Sequence, residues 1–78
     1  MTGHSNSHVN SVCISKDCKN GLSGGDDKTL KYWDLSSGNC IRTLTGHKDE
    51  IRSVTISSDG LYGLSGSNDK TIKYWRLK

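Results

Sequence analysis

Residues Val9 to Leu35 and Ile51 to Leu77 are two copies of one sequence. Trp33 and Trp75 set the offset at 42 residues, and 16 of the 27 aligned pairs are identical. Thr2-Gly3-His4 returns as Thr45-Gly46-His47 at an offset of 43, so the first copy carries one extra residue after its Gly-His. A repeat of roughly 40–45 residues confines the chain to stacked units, either propeller blades or helical pairs.

The local pattern decides between them. Val9-Asn10-Ser11-Val12-Cys13-Ile14 and Ile51-Arg52-Ser53-Val54-Thr55-Ile56 are short and rich in β-branched residues. Glycine recurs every few residues, which breaks helices. Asp59-Gly60 is a tight-turn signal between two apolar stretches. Strands joined by hairpins account for all of this. In the first unit the strands are expected at Val9 to Ser15, Lys19 to Gly24, Thr29 to Leu35 and Cys40 to Thr45. In the second they are expected at Ile51 to Ser57, Leu61 to Gly66 and Thr71 to Leu77. The reading is an all-β chain of two tandem four-stranded antiparallel propeller blades, the second lacking its outer strand, and hence a partial β-propeller. Blade 1 is placed at residues 1–45 and blade 2 at residues 46–78.

The strands carry apolar side chains on both faces. Leu30 and Tyr32 lie on one side of their strand, Trp33 and Leu35 on the other. In the first strand, Ser11 and Cys13 oppose Val12 and Ile14. Such sheets need cover on both sides. Two blades can cover only one face of each other, so each is expected to leave an apolar face open. The chain has 78 residues, 31% hydrophobic and without phenylalanine. So short a chain forms a marginal core, and disulfides, a metal or association usually make up the deficit.

The cysteines offer no such remedy. Cys13, Cys18 and Cys40 are odd in number and form no C-x-x-C. His4, His8 and His47 have no zinc-finger spacing with them. Free thiols point to a reducing compartment. The polar N-terminus has no signal-like apolar region, and no apolar run reaches membrane-spanning length. The cytoplasm is the expected location, with no membrane partner. A net charge of +3 is scattered along the chain, so no nucleic acid is expected as a partner.

The strings GHSNSHVNSVCIS…LSGGDDKTLKYWDL and GHKDEIRSVTISSDG…LSGSNDKTIKYWRL resemble WD-repeat (β-transducin-like) propeller sequences. Gly-His, the strand Ser-Gly, Asp-Lys-Thr and the Trp occur in order, twice. Two departures stand out: Trp75-Arg76 where the family favours Trp-Asp, and Asp17-Cys18 where the second unit has Asp59-Gly60. The second departure is expected to loosen that turn. The resemblance implies a hydrogen-bonded tetrad in each blade: His4, Ser23, Asp27 and Trp33 in the first, His47, Ser65, Asp69 and Trp75 in the second. The chemistry is sound by itself. A buried indole N–H needs an acceptor. A serine hydroxyl can accept it and donate to an imidazole, whose other nitrogen can donate to a carboxylate.

Serine, histidine and aspartate together also invite a catalytic reading. Against it, Ser23 and Ser65 fall inside predicted strands, no G-x-S-x-G elbow is present, and the whole set occurs twice. The string Ser23-Gly24-Gly25-Asp26-Asp27 lacks the Lys-Ser/Thr ending of a phosphate loop, and its acids would repel phosphate. Asp26-Asp27 and Asp49-Glu50 lack the spacing of a cation loop. No enzyme activity, metal or cofactor is expected.

Partner contacts in the family cluster on the loop face between strands, which implies His8, Asn10 and Asp26 in the first unit and Glu50, Arg52 and Asn68 in the second. These types differ between the copies while the tetrad does not. That fits a specialised surface, and equally drift at solvent-facing positions. Tyr62 reads as an exposed aromatic anchor or as a packed strand edge. The expected function is a protein-interaction scaffold with a protein or peptide partner. The alternative is an incomplete or self-assembling propeller unit with no binding activity of its own. Propellers close with about 4–8 blades. The chain is therefore read as a fragment of a longer propeller with further blades, as a homo-oligomer of three or four copies, or as a short frame unstable alone; the first is favoured.

Overall fold

The computed structural model describes residues 8–77. His4, with the rest of its Gly-His segment, lies outside the described residues. Those described form seven strands and no helix: β1 (Val9–Ile14), β2 (Asn20–Gly25), β3 (Leu30–Asp34), β4 (Asn39–Leu44), β5 (Ile51–Ile56), β6 (Tyr62–Ser67) and β7 (Ile72–Arg76). They build two antiparallel sheets, ordered β1-β2-β3-β4 and β5-β6-β7. The strands fall where the period-2 pattern puts them, with no end more than one residue from its expected place.

Alternation alone misses three bulges. Asn10 is an extra residue in β1, because Val9 pairs with Gly25 and Ser11 with Gly24. Arg52 is the matching extra residue in β5, between Ile51 opposite Ser67 and Ser53 opposite Gly66. Ile41 is extra in β4 opposite the step from Tyr32 to Trp33. A bulge turns the strand and re-aims a side chain. Here it puts Ile51 on the same face as Val54, and it swings Asn10 and Arg52 towards the rim.

The sheets stack face to face, and the core lies between them. Leu22, Leu30, Tyr32 and Leu44 of the first sheet bury against Ile51, Val54 and Leu77 of the second segment. Each such side chain contributes about 1.5–3 kcal/mol when fully buried. Gly24 permits the close approach. A Cβ there would lie 2.5 Å from Ile51 Cγ2 and 3.0 Å from Val54 Cγ1. Polar bonds cross the same interface. The Val54 N–H donates to Ser11 Oγ at 3.2 Å, and Asn10 Nδ2 donates to the Ile51 carbonyl at 2.8 Å. At the outer edge, Arg42 Nη1 donates to the Arg76 carbonyl at 2.7 Å.

The outer faces stay open. Val12 is 69% exposed on the first sheet, and Ile72 and Tyr74 are 77% and 66% exposed on the second.

The β1–β2 turn is not loosened by Cys18. Its N–H donates to the Ser15 carbonyl at 2.9 Å, as the Gly60 N–H does to Ser57. Asp17 Oδ1 accepts from the Lys19 N–H at 3.0 Å, as Asp59 Oδ1 does from Leu61. The two turns have the same shape, and Cys18 adopts φ +62 where Gly60 has +74. The cost is backbone strain, roughly 1–2 kcal/mol for a non-glycine residue in the left-handed region.

Candidate functional site

In the second sheet four predicted residues form one relay. Trp75 Nε1 donates to Ser65 Oγ at 2.8 Å. Ser65 Oγ lies 2.6 Å from His47 Nε2, and His47 Nδ1 lies 3.0 Å from Asp69 Oδ2. The carboxylate fixes the imidazole tautomer: Nδ1–H donates to it, leaving Nε2 to accept the serine proton. Ser65 is 1% exposed, and the His47 side chain is fully buried. Asp69 is held well below the usual carboxylate range, first by the Thr71 hydroxyl and then by the Lys48 N–H, while desolvation pulls the other way. Thr71 Oγ1 donates to Oδ1 at 2.5 Å and the Lys48 N–H to Oδ2 at 2.9 Å. The relay thus pins the β4–β5 connection to the β6–β7 turn.

In the first sheet Trp33 Nε1 donates to Ser23 Oγ at 2.9 Å, with both groups buried. Asp27 Oδ1 accepts from the Thr29 N–H and hydroxyl at 3.1 and 2.8 Å. The fourth predicted member, His4, is outside the described residues.

The six predicted rim residues fall into two triads at equivalent positions. Asp26 gathers the first: Asn10 Nδ2 donates to Oδ1 at 2.6 Å, and His8 Nδ1 lies 3.2 Å from Oδ2. Arg52 gathers the second, its Nε donating to Asn68 Oδ1 and its Nη2 to Glu50 Oε1, each at 3.2 Å. Asn68 Nδ2 approaches Glu50 Oε1 at 3.4 Å. Matching backbone bonds hold each pair of loops together, Asp26 N–H to the His8 carbonyl and Asn68 N–H to the Glu50 carbonyl. Asp26 is lowered, first by the Asn10 amide, then by His8 and by the positive field of Arg52. Arg52 of the second triad is the smallest of these influences on Asp26. The hubs of the two triads are of opposite sign: a carboxylate in one, a guanidinium in the other.

Sequence reasoning missed one cluster. Tyr62 stacks on Tyr74 with ring centroids 4.9 Å apart, and the Arg76 guanidinium sits 5.7 Å from the Tyr62 centroid. Tyr62 is thus a half-buried packed edge rather than a free anchor. The signal was in the hairpin register, which pairs Tyr62 with Arg76 and Leu64 with Tyr74. Among the described residues, no group of three or more His, Cys, Asp or Glu could hold a metal ion. No helix of the described residues is long and apolar enough to cross a membrane.

Two stacked antiparallel sheets, each a four-stranded meander or the first three strands of one, define a pair of β-propeller blades. The indole, serine and glycine positions recur at the same places in both. The WD domain, G-beta repeat family matches residues 1–34 and 38–76, and the chain belongs to that family. It is 42% identical over 52 residues to the probable E3 ubiquitin ligase complex SCF subunit sconB of Talaromyces stipitatus, covering 67% of this chain and 8% of that protein. It is 47% identical over 51 residues to the Lissencephaly-1 homolog of Branchiostoma floridae, covering 60% and 13%. The nuclear distribution protein PAC1 of Candida albicans is 43% identical over 53 residues, covering 60% and 11%. The chain thus spans only about a tenth of the length of these curated relatives.

Proposed function

We propose that the chain is a protein-interaction scaffold module. Residues 1–45 form one blade and 46–78 the next, and the loop rim reads a protein or peptide partner. The observation that carries this is the contrast between rim and relay. At equivalent positions, His8, Asn10 and Asp26 have become Glu50, Arg52 and Asn68, and each set is held by its own hydrogen bonds. Beneath them, the indole-to-serine bond is the same in both blades. A partner meeting this rim would place a cation near Asp26 and a carboxylate near Arg52. One relative is named as a subunit of a ligase complex, which supports a scaffold role.

The relay belongs to the fold rather than to chemistry. Ser65 is enclosed, and its oxygen already accepts the indole N–H, so no substrate carbonyl can reach it. The same reading is proposed for His4, Ser23, Asp27 and Trp33, since Ser23 is buried and accepts the Trp33 indole N–H. No cofactor enters this reading, and the cytoplasm is the compartment proposed for three free thiols.

The test is affinity capture with immobilised chain, comparing wild type with Arg52→Ala/Asn68→Ala and with Asp26→Ala. Partners retained by wild type should be lost from the first variant and weakened in the second. Identical captured sets from all three would remove the rim from consideration.

A further inference from the structure

We propose that the open face of blade 2 receives the open face of blade 1 from a second copy, in the register already used inside the chain. Within one chain, Ser11, Leu22, Gly24 and Tyr32 form a socket, and Ile51 and Val54 are the knobs that fill it. Adding 42 to these four gives Ser53, Leu64, Gly66 and Tyr74, the same residue types. On the same face Leu30 becomes Ile72, Cys13 becomes Thr55 and Leu44 has no counterpart in the three-stranded sheet. Subtracting 42 from the knobs gives Val9 and Val12, both β-branched and both exposed. Each chain thus carries a second socket on one side and a second pair of knobs on the other.

The geometry at the glycines makes the match specific. A Cβ on Gly24 would collide with Ile51 and Val54, whereas one on Gly66 would meet nothing within 4 Å. The space over Gly66 therefore has no occupant among the described residues. The polar bond across the interface can be rebuilt as well. Ser11 Oγ accepts the Val54 N–H, and Ser53 and Val12 stand at the corresponding places. Two bonds are not repeated. Asn10 reaches the Ile51 carbonyl, but its counterpart Arg52 is engaged with Asn68 and Glu50. Arg42, which reaches the Arg76 carbonyl, lies on β4 and has no counterpart in the three-stranded sheet. The contact between copies is therefore the weaker of the two.

A second copy is favoured because it covers both exposed apolar surfaces with a single type of contact. The contact is head-to-tail, so it closes into a ring or extends as a filament. Propellers hold about 4–8 blades, so roughly two to four copies of this two-blade stretch make a closed ring.

Analytical ultracentrifugation over a concentration series tests this. Wild type should sediment as a multiple of the chain mass. Gly66→Leu fills the cleft on blade 2, and Val12→Glu charges the knob on blade 1. Each should sediment as a single chain. A mixture of the two should form a dimer, because each retains the face the other has lost. Both substituted positions face solvent within one chain, and near-ultraviolet circular dichroism reports whether the fold is kept. If either variant fails to fold, Tyr74→Glu replaces Gly66→Leu and Val9→Glu replaces Val12→Glu. Filaments that dissolve in both variants would support the same contact. A wild type that stays a single chain at every concentration would overturn the proposal and leave these faces to other blades. So would an oligomer indifferent to both variants, or self-association of Val12→Glu alone.

Discussion

The two blades share their sequence but not their burial. Tyr32 is 3% exposed and Tyr74 66%; Leu30 is fully buried and its counterpart Ile72 is 77% exposed. On the opposite faces the inequality reverses, with Val54 buried and Val12 open. Nothing in the repeat itself makes a residue a core residue. The neighbour does, and each blade has one neighbour on a different side. Even the cost of cover is visible: Tyr32 Oη is buried without a hydrogen-bond partner, and burial pushes its phenol up. The outward-facing Tyr74 ring instead stacks on Tyr62.

The sharpest way to break this comparison is to truncate both members of a pair. Leu30→Ala should cost about 2–5 kcal/mol through the cavity it leaves. Ile72→Ala should cost about 0.5 kcal/mol or less, as surface changes do. Urea melts at a concentration where the chain is single would decide. Equal losses would mean that the open face is already covered.

The relay gives the next largest effect. Ser65→Ala leaves a half-buried indole N–H and a buried imidazole nitrogen without their shared partner. That should cost about 1–3 kcal/mol, read from the same melts by tryptophan fluorescence. An unchanged midpoint would show that the relay carries no stability.

The turns provide a test of opposite sign. Cys18→Gly should stabilise by about 1 kcal/mol by relieving the left-handed strain, less the entropy glycine adds to the unfolded chain. Gly60→Ala should destabilise by a similar amount at the matching position. If both changes were neutral, strain would not distinguish the turns.

The last test is electrostatic: its contribution is present at neutrality, and its pH dependence shows only in acid. Asp69 binds its proton less readily when folded than when unfolded. Its contribution is complete above the unfolded carboxylate value of about 3.9. It fades as pH falls from there through the depressed folded value. Asp69→Asn should flatten the fall of stability below about pH 4 without abolishing it, since Asp26, Asp34 and Asp59 are also lowered. An acid limb as steep as that of wild type would count against a special environment for Asp69.

Much of this was legible before any coordinates. The duplication, the strand order and the two-sided apolar pattern follow from spacing, because side-chain direction alternates with period 2. The grouping of His47, Ser65, Asp69 and Trp75 followed from a resemblance plus the need to satisfy a buried indole. What spacing could not reveal was the set of bulges. An extra residue leaves composition unchanged and shows only as a slip in pairing, yet it is what places Ile51 in the core and aims Asn10 and Arg52 at the rim. The Cys18 turn keeps the shape of its glycine counterpart for a related reason. Residue type argues for glycine there, but Asp17 holds the loop through its carboxylate and the backbone follows.

Strand order in each sheet is the order of the chain. Every strand pairing therefore closes a short hairpin loop, while sheet-to-sheet contacts such as Asn10 to Ile51 join residues 41 apart. Hairpins form in microseconds, and long-range contacts set the slower step. Each meander should thus zip up early and the stacking come last. Damage to the glycine-lined seam would then hasten unfolding while hardly delaying folding.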